Sequence, residues 1–199
     1  MMNKYKDKEV NIMIDIETLG TKTGCSILSI GATIFSTYGQ ELLSRPDFYT
    51  AIDRYSCIAL GLVEDSSTLS WWEKQTAEAR ADAFSGTTII VAALFQLSDY
   101  IKDIEGQLNG VAVIWANGAN FDPVILEAAY NLASISVPWR YHNVRCYRTL
   151  KALSTVDEVS FQGVKHNALA DAKHQARNAV RFLASLASSE KQNVPSLPT

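Results

Sequence analysis

The stretch "NIMIDIETLG", residues 11–20, sets two carboxylates, Asp15 and Glu17, one residue apart. In an extended segment alternate residues share a face, so both acids point the same way, roughly 7 Å apart. Two like charges at that spacing repel, and any burial makes each more costly. A divalent cation relieves both costs, and a hard oxygen ligand set selects magnesium or manganese. The plainer alternative is a pair of solvated acids on an edge strand.

Two further acids stand at suitable places. Asp122 follows the apolar run "VAVIW" and opens a helical pattern, where an ordinary N-cap would also explain it. Asp171 lies in the first turn of the last helical pattern, where the helix dipole favours an acid. Taken singly, each has that plain explanation. Taken with His166, five residues before Asp171 in "HNALAD", they outline a site. Beside a metal, an imidazole can take a proton from an attacking water. His142 and His174 lack such a setting and read as structural or exposed.

The elements must bring these residues together. Ile12, Ile14 and Ile16 fall on one face of the first strand; Met13, Asp15 and Glu17 fall on the other. "SILSIGATIFS" (26–36) and "DFYTAID" (47–53) read as a second and third strand in an antiparallel meander. Residues 56–84 form a broken helical region, and 87–104 an amphipathic helix with Leu94, Leu97 and Ile101 on one stripe. "GVAVIWAN" (110–117) is apolar enough for a strand covered on both faces. Helices follow over 121–133, 147–154 and 169–187, the first with Asp122 at the cap position and Pro123 at the first helical position. This order predicts one α/β domain, residues 1–187, with a mixed sheet and helices on both faces. A polar, proline-containing tail, 188–199, is expected to be flexible.

Composition narrows the function. The chain has 199 residues, 47% of them hydrophobic, enough for one real core. No run is long and apolar enough for a membrane span, and the charged start "MMNKYKDKEV" is unlike a signal peptide. Three scattered cysteines suit a reducing cytoplasm better than a disulfide framework or a zinc site. A net charge of −3 argues against coating duplex DNA, but not against gripping a few phosphates. Residues 133–170 carry five cations against two acids, a locally basic segment.

"IDIETLG", "WANGANFD" and "HNALADA" occur in that order. With them the chain resembles the DEDDh exonucleases, the DnaQ-like 3′–5′ exonucleases of the ribonuclease H-like fold, over roughly residues 10–187. "TLSWWEKQTAEAR" and "YRTL" are most similar to the exonuclease VIII-like branch, frequent in phages and prophages. Cys146 departs from that pattern, which would have an acid or small polar residue there. The resemblance implies two-metal phosphodiester hydrolysis at the 3′ ends of single-stranded DNA or RNA, releasing nucleoside 5′-monophosphates. It implies that Asp15, Glu17, Asp122 and Asp171 hold two magnesium or manganese ions, and that His166 is the general base. Thr18 and Leu19 would meet the terminal nucleotide. The branch includes dimers, which leaves a homodimer open.

Trp71 and Trp72 point about 100° apart on a helix, so one is expected in the core while the other is free to stack a base. Both packing in the core is the alternative. Arg148 is a candidate phosphate contact. Two other functions compete: a ribonuclease H-type endonuclease, and a non-catalytic nucleic-acid-binding module of the same fold. The D-x-E pair and the histidine before the last acid argue against the first. The complete set of acids argues against the second.

Overall fold

Period-two alternation in the first strand becomes a division between two cores. The computed structural model describes residues 8–36 and 45–192. β1 (Glu9–Thr18) is the central strand of a five-stranded sheet. It pairs antiparallel with β2 (Ile27–Phe35), which pairs antiparallel with β3 (Phe48–Ala51). On its other side β1 runs parallel to β4 (Val111–Ala116), and β4 parallel to β5 (Val144–Cys146). The order is β3-β2-β1-β4-β5, a mixed sheet whose first half is the expected meander.

Between β3 and β4 lie α1 (Arg54–Leu60), α2 (Ser66–Trp72), α3 (Ala77–Ala83) and α4 (Ile90–Leu108). Then come α5 (Asp122–Leu132), α6 (Tyr147–Leu153) and α7 (Ala168–Gln192). Ile12, Ile14 and Ile16 pack with Leu94, Leu97 and Ile101 of α4 and with α5. On the opposite face Met13 packs with Trp115, Tyr147 of α6, and Ala172, Ala176 and Ala179 of α7. The acids of β1 therefore lie on the α7 side.

Two local features set how closely α7 approaches. Its alanines recur every three or four residues, a low ridge that rests on the sheet. Gly31 of β2, the cross-strand partner of Asp15, faces its N-terminus. A Cβ at Gly31 would stand 2.3 Å from the backbone of Ala168 and Leu169, closer than any packing allows. The absent side chain seats the first turn of α7 against the strand that carries Asp15.

Three expectations need correction. β5 is a fifth strand that the sequence pattern did not announce; it has only three residues, all partly buried. The cap of α5 is Phe121, and Asp122 is its first helical residue, because the Asp122 side chain is turned to β1. α7 continues to Gln192, five residues past 187. The rest of the expected tail, 193–199, lies outside the described residues, as do 1–7 and 37–44.

Candidate active site

The site forms where β1 and β4 part. Their pairing ends at Met13 and Trp115. Beyond it, the Ile16 N–H donates to Asp122 Oδ1 (3.2 Å), so the carboxylate continues the ladder that β4 no longer supplies. This bond draws Asp122, 3% exposed, from the start of α5 to the strand end that bears Asp15 and Glu17. From the other face α7 brings Asp171 in its first turn and Gln175 one turn later. Gln175 Nε2 donates to Asp15 Oδ1 (2.7 Å). The His166 N–H donates to Asp171 Oδ2 (2.8 Å), which ties the histidine loop to the same helix.

Four carboxylates thus converge. Among the described residues, none of them forms an ion pair with a lysine or arginine. Burial, with the charges of Asp122, Glu17 and Asp171, pushes the Asp15 carboxyl well above its ordinary value, against the Gln175 hydrogen bond. Glu17 is pushed up to about 8 by burial and by Asp171, Asp122 and Asp82. Burial lifts Asp122 to about 7 despite its backbone hydrogen bonds and nearby Arg148, and burial also raises Asp171. Such a set is costly without positive charge, which a divalent cation supplies. The oxygen-rich donors suit magnesium or manganese. Ligand atoms of Glu17, His166 and Asp171 all lie within 4.8 Å of one another.

All five residues named from sequence are therefore brought together, and the surrounding ones are sorted. Trp72 is 1% exposed, and its Nε1–H donates to the Thr18 carbonyl (3.0 Å), so it is a core residue and not a substrate contact. Leu19 is fully buried beside Leu28 and Trp72, with its N–H donating to Ser26 and its carbonyl accepting from Asp65. The Thr18 hydroxyl donates to the Gly20 carbonyl (2.7 Å). Thr18 and Leu19 are thus buried in the wall under the site. Trp71 is 41% exposed, with its ring 4.9 Å from that of His166. Arg148 is exposed, donates to the Asn117 carbonyl (2.9 Å), and lies close enough to Asp122 to act on its charge. Gln175 was not anticipated, though it stands four residues after Asp171 on a helix, where side chains share a face.

The mixed five-stranded sheet flanked by helices has the α/β, ribonuclease H-like fold of solved DEDDh exonucleases. The nuclease domain of 3′hExo, a DEDDh family member bound to rAMP, matches with a TM-score of 0.61 at 16% identity, covering 91% of this chain and 94% of that one. E. coli exonuclease I in complex with a dT13 oligonucleotide matches with a TM-score of 0.64 at 12% identity, over 93% of this chain but only 43% of that one. A 3′-exonuclease recognising the histone mRNA stem-loop matches with a TM-score of 0.54 at 15% identity, over 91% and 83%. No curated protein sequence matches. Residues 10–183 match the Rv2179c-like 3′-5′ exoribonuclease domain, and the chain belongs to that family. It is a 3′–5′ exonuclease.

Proposed function

We propose that this enzyme removes nucleoside 5′-monophosphates one at a time from the 3′ ends of single-stranded nucleic acid, using divalent magnesium or manganese. One observation carries the proposal: four carboxylates converge at a strand end beside a histidine, with no lysine or arginine ion pair among the described residues. Asp15, Glu17, Asp122 and Asp171 would hold the ions. Bound there, the ions would position the scissile phosphate and stabilise charge on the attacking and leaving oxygens.

The chain's own groups do the rest. Gln175 fixes one oxygen of Asp15, leaving the other free to coordinate. The Asp122 bond to the Ile16 N–H fixes that carboxylate in the same way. His166, at the rim, accepts the proton of the attacking water on a ring nitrogen. Trp71 offers its exposed ring to the terminal base, and the Arg148 guanidinium meets a backbone phosphate. The closeness of His166 to Glu17 and Asp171 also favours a second reading, in which His166 is itself a metal ligand.

The family's description favours RNA over DNA as the substrate. Within the superfamily, "TLSWWEKQTAEAR" and "YRTL" favour the exonuclease VIII-like branch. Three free cysteines support a reducing, cytoplasmic setting. Among the described residues, no helix is long and apolar enough to cross a membrane.

Matched RNA and DNA oligonucleotides, labelled at the 5′ end, test the proposal with magnesium, manganese or chelator. A ladder that shortens from the 3′ end only when metal is present is expected, faster on RNA. Cuts within a circular single strand would replace it with an endonuclease reading. No cleavage of either substrate under any metal would leave the binding-module alternative.

A further inference from the structure

His166 occupies a turn, not a helix or strand, and its backbone is left-handed, with φ 65°. A residue with a Cβ seldom adopts that conformation, so the surroundings must impose it. Its N–H is bound by Asp171, and its ring stands edge-on to Trp71 and Trp72. The next residue is tied at both ends of its side chain. Asn167 Oδ1 accepts the Ala170 N–H (2.9 Å), which caps α7. Asn167 Nδ2 donates to Asp82 Oδ2 (2.8 Å), on α3. The same Asp82 oxygen accepts the Tyr49 hydroxyl from β3 (3.0 Å). Asp82 is also near enough to Glu17 to raise its carboxyl.

We propose that Asp82 is a positioning residue for the reaction: through Asn167 it fastens the left-handed turn that aims His166 at the carboxylates. This rests on the role of His166 as general base. Asn167 alone would cap α7 whether or not α3 were there. Its second bond joins the α2–α3 region, which also supplies Trp71 and Trp72 to the histidine, to the loop that carries the base. Because both donors share one oxygen, the latch needs an acceptor at residue 82 and not a charge. A metal ligand or an electrostatic role would need the charge.

That difference defines the test. Steady-state kcat and KM, Mn2+ affinity without substrate, and melting temperature are measured for Asp82→Ala, Asp82→Asn, Asn167→Ser, His166→Ala and the double variant Asp82→Ala/His166→Ala. Asp82→Ala is expected to lose about 10- to 100-fold in kcat, the scale of a small misplacement of a reacting group, with KM and Mn2+ affinity within about twofold. Asp82→Asn, whose carbonyl can accept both bonds, should recover most of that loss. Asn167→Ser keeps the cap but cannot reach Asp82, and should lose kcat as Asp82→Ala does. It also serves if Asp82→Ala does not fold. In the His166→Ala background, Asp82→Ala should add little further loss. Wild-type kcat in a folded Asp82→Ala or Asn167→Ser would overturn the proposal. So would equal loss of activity and Mn2+ affinity in Asp82→Ala and Asp82→Asn, or a full further loss in the double variant. If His166→Ala alone keeps wild-type kcat, the general-base reading fails and takes this one with it. If it loses activity while the Asp82 variants do not, only the latch fails.

Discussion

Asp15 accepts one hydrogen bond, from Gln175, and faces three like charges. Its carboxylate is therefore a burden on the metal-free fold and is kept for what it binds. Asp15→Asn removes the charge and keeps the oxygen that Gln175 needs. The variant should lose all detectable turnover and bind manganese more weakly, yet melt at a higher temperature in chelator. Relief of even about 1 kcal/mol raises the melting temperature by about 2–4 °C for a chain of this size. A variant that melts lower in chelator would show that the carboxylate stabilises the fold instead. His166 separates base from ligand. As a base, His166→Asn should lower kcat by roughly 10²–10⁴-fold and leave manganese affinity unchanged. Calorimetric titration with manganese decides it: affinity lost along with turnover would make the imidazole a ligand.

Helix α7 acts through its closeness to β2, and Gly31 is what permits it. Gly31→Ala would drive a methyl into the backbone of Ala168 and Leu169, at the turn that carries Asp171. The helix must shift, at a cost of about 1–3 kcal/mol. Denaturant melts should show that loss, and manganese affinity should fall with it, since Asp171 moves away from Asp15. Stability lost with unchanged metal affinity would mean that the cluster is built independently of this contact. The two tryptophans of α2 should divide similarly. Trp72→Ala should cost about 3–5 kcal/mol, as for a buried aromatic side chain, while Trp71→Ala should raise KM with little change in melting. Much of this arrangement was legible in the sequence, because alternation on β1 and acids at helix starts are local patterns. Their convergence was not local, and only the order of three motifs suggested it. What escaped was tertiary. Thr18 and Leu19 follow the acids directly, but α2 and α3 close over them, so position along the chain did not reveal burial. Asp122 has the look of a cap, yet a strand that outruns its neighbour claimed its oxygen. Strand β5 has three residues, too few to show any period.

At the scale of the whole molecule, the clustered carboxylates set how stability responds to pH and metal. An acid whose pKa is higher folded than unfolded holds a proton that unfolding releases, so its penalty is absent below the unfolded value and complete above the folded one. Glu17 spans from an ordinary carboxylate value to about 8, and Asp122 to about 7, with Asp15 and Asp171 raised as well. Their combined effect is a metal-free fold that loses stability as pH rises from about 5 to about 8. Divalent metal reverses the trend, since it binds the folded site and stabilises it by RT ln(1 + c/Kd), with c the free metal concentration. It also competes with protons for the same oxygens, so it binds best where the free fold suffers most. Melting curves at about pH 5.5, 7 and 8.5, in chelator and in saturating manganese, should therefore diverge. The chelator series should fall with pH, and the gap opened by manganese should widen. In Asp15→Asn both the fall and the gap should shrink. A melting temperature that climbs with pH in chelator, or a manganese effect of the same size at both ends of the range, would break the link between these acids and metal.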